Sequence, residues 1–192
     1  MEATNPRSKL LRALFHGPNS MAKRMKAFTI NGYRFHTEAR DRSKATQNYG
    51  VMVEVEGKPY YGKITDIIEL DYFSECKVVL FRCDWVDVRS SRGRKEDKRG
   101  FTLLNFAHKI HTGNALKDDP YILASQACQV FYVEDEKEKG WSHVIRVKPR
   151  DTYQLATMTD DEEELYPISR PSNITEEDEY NDPINWAAVC EQ

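Results

Sequence analysis

Carboxylates crowd one stretch of the chain. Asp66, Glu69, Asp71, Asp84 and Asp87 all lie in PYYGKITDIIELDYFSECKVVLFRCDWVDV, residues 59–88. Clustered acids are the residues that hold Mg²⁺ for phosphoryl transfer. The strand-like alternation of this stretch works against such a site. Side chains change face at every residue of a strand, so Asp66 and Asp84 point away from Asp71 and Asp87 within their own strands. Acids placed this way are expected to face water or to pair with lysine and arginine. Thiol and imidazole ligands are no better grouped. Cys76, Cys83, Cys128 and Cys190 are scattered, and Cys76 and Cys83 have an odd offset that sends them to opposite faces. His108 and His111 have no cysteine pair beside them, whereas structural zinc sites carry two close pairs. Cys83 and Cys128 are expected to be buried as small hydrophobes. Ser125 sits in LASQAC, without the glycines of a nucleophile elbow. No catalytic residue, metal ligand, cofactor or small-molecule substrate is expected, and the chain reads as non-enzymatic.

Two other residue sets have chemistry suited to binding. Arg89, Arg92, Arg94, Lys95, Lys98 and Arg99 fall in RSSRGRKEDKRG, a loop able to neutralise several phosphates. Contact of that kind is salt-dependent and largely blind to sequence. Tyr60, Tyr61, Tyr72 and Trp85, with Phe73 beside them, supply an aromatic wall suited to a cation. On that second reading the chain would be a chromatin reader for methyl-lysine peptides.

The elements that must position these sets are mostly strands. Ala27 to Thr37 predicts a hairpin, because Asn31-Gly32 supplies the two positive φ angles of a type I′ turn. Gly50 to Gly57 alternates as a strand with one wet face. Tyr60 to Tyr72 places Ile64, Asp66, Ile68, Leu70 and Tyr72 on one side. Lys77 to Val88 places Val79, Phe81, Cys83 and Trp85 on one face. Apolar residues on both sides of these two strands suit the centre of a curved sheet or small barrel. Short strands are expected at Phe101–Phe106, Gln129–Asp135 and Trp141–Lys148, and Pro120–Cys128 reads as a short helix or extended chain. A helix over Ser8–Phe15, with Leu10, Leu11 and Leu14 on one side, should end at Gly17-Pro18.

Composition sets the boundaries. The 192 residues are 40% hydrophobic and 31% charged, with mean hydropathy −0.71, enough for one core and much wet surface. No apolar run approaches the roughly 20 residues that span a membrane. The basic N-terminus lacks the apolar core of a secretory signal, so reduced thiols inside the cell are expected. Net charge runs from +7 over residues 1–50, through +1 over 51–150, to −11 over 151–192. The organisation read from this is a basic arm (1–25), a β-rich domain (26–150) and an acidic disordered tail (151–192).

Ordered motifs then point to a family. INGYRFHT (30–37), TQNYGVMV (46–53), YYGKITDIIELDY (60–72) and KVVLFRCDWVDV (77–88) come in sequence. GFTLLNF (100–106), DPYILASQACQVFYVED (119–135), Trp141 and KPRDTY (148–153) follow. Over roughly residues 14–153 the chain resembles the plant domain of unknown function 4216, which accompanies the transposase of CACTA (En/Spm-type) transposons. The resemblance implies a nuclear, DNA-associated setting and brings no catalytic residues with it. The expectation is a mainly β fold with minor helix, a small SH3-like or bromo-adjacent-homology-like barrel with disordered flanks. Its role would be a non-catalytic accessory module. Candidate partners are DNA or chromatin, the transposase, or a second copy, and no membrane.

Overall fold

The computed structural model describes residues 6–73, 75–113, 118–150 and 164–167. It is mainly β, and one long curled sheet gives it a barrel-like form. Its spine is β5, Lys58–Tyr72, which uses both edges. One edge pairs with β6, Cys76–Val86, over residues 62–72. The other edge is shared by β4, Gly50–Val55, and then by β1, Met21–Met25. From β4 the sheet continues through β11 (Cys128–Glu134), β12 (Ser142–Arg146) and β8 (Thr102–Leu104) to β7 (Arg94–Glu96). β6 in turn takes β9, Lys109–Ile110, and β10, Tyr121–Leu123, on its far edge.

The hairpin forms where Asn31-Gly32 predicts it. β2 (Ala27–Ile30) and β3 (Tyr33–His36) meet at a turn with φ +52° and +75°, as a type I′ turn requires. The hairpin lays Phe28, Ile30, Tyr33 and Phe35 over the principal core of Val51, Val53, Ile64, Ile67, Phe81, Cys83 and Trp85. Phe35 and Phe81 are fully buried with ring centroids 4.9 Å apart. Met52, Tyr61, Val86, Leu104, Val130 and Tyr132 make a second cluster, and Cys76, Val78 and Leu123 a third.

The side-chain alternation of β5 departs from the regular pattern. Its pairing with β6 shifts between Ile64 and Asp66, a bulge that inserts one residue and reverses the phase. Ile64 and Ile67 therefore share the principal core, three residues apart, while Leu70 and Tyr72 join the third cluster. Ile64 and Leu70 are not on one side, as an unbroken period of two would put them. β6 has no such break, and Val79, Phe81, Cys83 and Trp85 all face the principal core.

Helix α1, Pro6–His16, starts on proline and stops at Gly17, whose φ is +77°, the asymmetry expected of helix ends. Leu10 packs on the third cluster and Ala13 is buried. Leu11 does not belong to that face. At 100° per residue it turns outward, and it is 68% exposed. The segment 120–128 resolves into β10 followed by a single 3₁₀ turn at Ala124–Gln126. The expected disorder of the acidic tail lies outside the described residues, except that Glu164–Pro167 form a strand, β13, antiparallel to β1.

A buried polar knot fixes the hairpin's exit. Asp41, in the short helix α2 (Glu38–Asp41), accepts from the Asn48 backbone N–H at 2.6 Å and lies 2.6 Å from Nδ1 of His36. Arg34 Nε donates to His36 Nε2 at 3.3 Å. Nε2 is therefore an acceptor, which leaves the neutral ring's proton on Nδ1, facing Asp41. Burial holds the His36 pKa below the usual 6.5, outweighing the pull of the Asp41 carboxylate.

Two outcomes follow from this packing. A Cβ on Gly50 would run into the Val130 carbonyl, which is backbone and has little room to move. Gly50→Ala should cost about 1–3 kcal/mol in denaturant unfolding. The unfolded chain takes up the His36 proton more readily than the folded one. Stability from this site is therefore full above pH 6.5 and declines as pH falls below it. Thermal melts between pH 5 and 7 should show a shallower decline for His36→Asn, which keeps a donor near the Nδ1 position.

Candidate binding pocket and basic strand

Trp85 and Tyr60 come together at the rim of the principal core. Tyr60 is the cross-strand partner of Val53, and Trp85 that of Gly62. Gly62 must be glycine here, because a Cβ would lie 2.9 Å from Cε3 of Trp85. The indole N–H of Trp85 donates to the Pro120 carbonyl at 3.1 Å, which fixes the ring. The same carbonyl accepts the Cys83 N–H at 2.9 Å, so the start of β10 and Trp85 are held as one unit. Tyr121 and Ile122 of β10, Val53 and Val55 of β4, His111 and Asp119 complete the walls of a cavity of about 270 Å³.

Of the four aromatics expected to form a wall, the structure joins two. Tyr61 follows Tyr60 on the strand and so faces the opposite way, buried at 4% exposure in the second cluster. Tyr72 lies at the far end of β5, packed in the third cluster. Phe73, in a turn with φ +55°, is exposed. Tyr121, His111 and Asp119 were invisible as site residues, because they reach the pocket only through the pairing of β9 and β10 with β6. His111 is unusual in two respects. It holds φ at +50°, and its Nδ1 is buried with no hydrogen-bond partner among the described residues.

The basic set is not a loop throughout, since Arg94–Glu96 pair with β8 as an edge strand. Gly93 allows the chain to turn tightly into that strand against the Asp87 carbonyl. Arg94 pairs with Glu96 at 3.1 Å. Lys95 pairs with Glu138 and lies 4.1 Å from the centre of the Trp141 ring. Arg89 is 3.9 Å from Asp87. Arg89, Arg92, Lys98 and Arg99 are exposed. Lys98 and Arg99 border a basin of about 790 Å³ in which five carboxylates outnumber the three lysines and arginines. Two of those acids are stabilised as anions. Backbone N–H groups, that of Phe101 first, hold Asp97 below the usual carboxylate range. The Glu138 N–H and then His143 do the same for Asp135.

The clustered acids are each engaged. Arg24 Nε sits 2.8 Å from Asp66, yet burial outweighs that cation and raises the Asp66 pKa. Glu69 pairs with Lys77 at 3.0 Å, Asp71 accepts from Asn19 at 3.1 Å, and Lys109 pairs with Asp84. Asp87 accepts the Arg89 N–H at 3.1 Å. Among the described residues no three His, Cys, Asp or Glu side chains converge as a metal site would require. Burial pushes the Cys83 thiol well up, which keeps it protonated. Cys128 is not buried like Cys83. It occupies the first position of β11, outside the clusters, and is exposed. No described helix is long and apolar enough to cross a membrane.

The model of one family, the domain of unknown function DUF4216, matches residues 68–144. That span holds Trp85, His111, Asp119, Tyr121 and the whole basic segment, and it begins after Val53 and Tyr60. No curated protein and no solved structure matches the chain.

The strain at His111 is separable from the fold. His111→Gly permits the positive φ and removes the nitrogen that has no partner among the described residues, so the stability read from thermal melts should stay level or rise by up to about 1 kcal/mol. Trp85→Ala should cost about 3–5 kcal/mol in the same measurement.

Proposed function

We propose that this chain is a non-catalytic accessory module of a plant CACTA transposon-derived protein, acting in the nucleus. Its task is to recognise a protein partner by accepting one of the partner's side chains between Tyr60, Trp85 and Tyr121. The transposon setting rests on the ordered motifs from INGYRFHT to KPRDTY, and the transposase and chromatin proteins are the partners that setting supplies. The observation that carries protein recognition is the cavity itself. It is apolar on most sides, has few polar groups, and is walled by a tryptophan locked through its indole N–H. Concave, mostly apolar sites with a few placed polar groups are the common form of a binding pocket. A wall fixed before binding loses little freedom on binding.

The basic segment supports nucleic-acid contact less well. Arg94 and Lys95 are already paired with glutamates, and the basin beside Lys98 and Arg99 is net acidic. Phosphates approaching there would meet repulsion from the acids as well as attraction. The remaining exposed cations, Arg89, Arg92, Lys98 and Arg99, are the surface on which a DNA-binding outcome would register.

Fluorescence polarisation separates the two. Peptides from transposase and histone tails should bind, and Val55→Arg, which places a long cation at the exposed mouth of the cavity, should weaken them about tenfold, or about 1.4 kcal/mol. The triple variant Arg92→Ala, Lys98→Ala, Arg99→Ala should leave peptide binding unchanged. Absence of peptide binding, together with DNA binding that is steeply salt-dependent and lost in the triple variant, would replace this reading with the nucleic-acid one.

A further inference from the structure

The cavity's lining specifies the chemistry of what enters it. Its volume of about 270 Å³ falls just below the roughly 300–1,000 Å³ of sites that hold whole small molecules. That is a space for one side chain. Among the described residues no lysine or arginine lines it, and Asp119 is the single carboxylate. Asp119 would repel an anionic side chain. Three aromatic residues (Tyr60, Trp85 and Tyr121) together with one carboxylate are the groups that attract a cation.

We infer that the pocket takes the methylated ammonium head of a lysine side chain. This rests on the protein-recognition reading above and names its ligand. Methylation decides between alkyl cations. A bare ammonium is compact, strongly hydrated and carries three N–H donors that need partners. The walls of Val53, Val55 and Ile122 provide none, so beyond Asp119 at the exposed edge much of the described lining cannot serve them. Methyl groups replace those donors with apolar surface that these walls and the aromatic rings can cover, while the positive charge remains.

The pocket's construction fits that use. Trp85, at 4% exposure, forms the floor, while Val55 and Tyr121, at 48% and 40%, stand at the mouth. Asp119 is exposed, and its Oδ1 accepts the Tyr121 N–H at 3.1 Å. That contact holds the carboxylate beside the ring it would assist. His111 adds an independent sign of function in the same wall. A non-glycine residue at φ +50° with a buried nitrogen that has no partner among the described residues is strain that the surrounding structure must sustain. Such outliers concentrate at ligand sites.

The test uses the full chain and four capped amino acids: trimethyllysine, dimethyllysine, unmodified lysine, and the neutral tert-butyl isostere of trimethyllysine. In ¹H–¹⁵N spectra the two methylated cations should shift the Trp85 indole signal and the amides of Val55 and Tyr121 saturably. The isostere and unmodified lysine should bind at least about fivefold more weakly. Tyr121→Ala should lower the affinity for trimethyllysine about tenfold. Asp119→Asn, which preserves the acceptor for the Tyr121 N–H, should lower it by a smaller factor. Equal binding of the isostere would overturn the cation and leave side-chain recognition standing. Shifts confined to the acidic basin around Asp135, or no saturable shift with any of the four, would overturn the assignment of methyl-lysine to this pocket. The peptide measurements above decide the broader reading separately.

Discussion

The phenol of Tyr132 is the contact on which the second half of the sheet depends. Its hydroxyl donates to the Gly62 carbonyl at 2.7 Å, with the Val51 carbonyl at 3.2 Å as a second acceptor within reach. One side chain of β11 thus grips both β4 and β5. Backbone pairing between β11 and β4 covers only Cys128–Met52 and Gln129–Val51. β12, β8 and β7 all hang from β11, so this short ladder and its phenolic rivet carry them. The approach is possible because Gly50 has no Cβ to meet the Val130 carbonyl. Burial pushes the Tyr132 pKa well up, and the hydroxyl stays a donor. A buried donor between two carbonyls is worth most where water cannot replace it.

A second polar device closes the other side. Gln129 Nε2 donates to the Arg34 carbonyl at 2.6 Å and reaches the Asn48 carbonyl at 3.3 Å. Arg34 lies in the hairpin and Asn48 in the segment leading to β4, so a single amide ties three elements. Arg150 N–H to Gly32 carbonyl, at 2.7 Å, and Asn31 to the Ser125 carbonyl, at 3.0 Å, pin the hairpin's tip. The apolar face of the hairpin would pack on Phe81 in many orientations, since hydrophobic contact has little direction. These hydrogen bonds select one.

Much of this was legible because local chemistry and tertiary packing agree. Asn31-Gly32 fixes a turn whatever surrounds it, and β6 alternates without interruption, so its core face could be read directly. The bulge in β5 could not, since nothing in ITDII marks the extra residue, and it is the pairing with β6 that absorbs it. β1 and β7 are short and basic, and they are strands because they have an edge to join. Lys23, Arg24, Arg94 and Lys95 have no strong preference of their own. The aromatic wall illustrates the same limit. Tyr60 and Trp85 are strong signals in the sequence, but alternation alone sends Tyr61 to the other face. The residues that complete the pocket come from Asp119 and Tyr121, which only long-range pairing brings near.

Trp85 serves the fold and the pocket at once, and this explains why the site lies where it does. β6 carries two short partners on one edge, β10 at residues 80–82 and β9 at 85–86. Between them the edge has a gap, and chain turns there through Asp119-Pro120 and His111. A gap in a ladder leaves polar backbone to be satisfied. The Pro120 carbonyl meets that need by accepting both the Cys83 N–H and the Trp85 indole. The indole shares the carbonyl that fills the gap in the backbone pairing while its ring walls the cavity, so the pocket inherits its rigidity from the core. His111, with its φ of +50°, stands beside the point where the ladder resumes at Ile110.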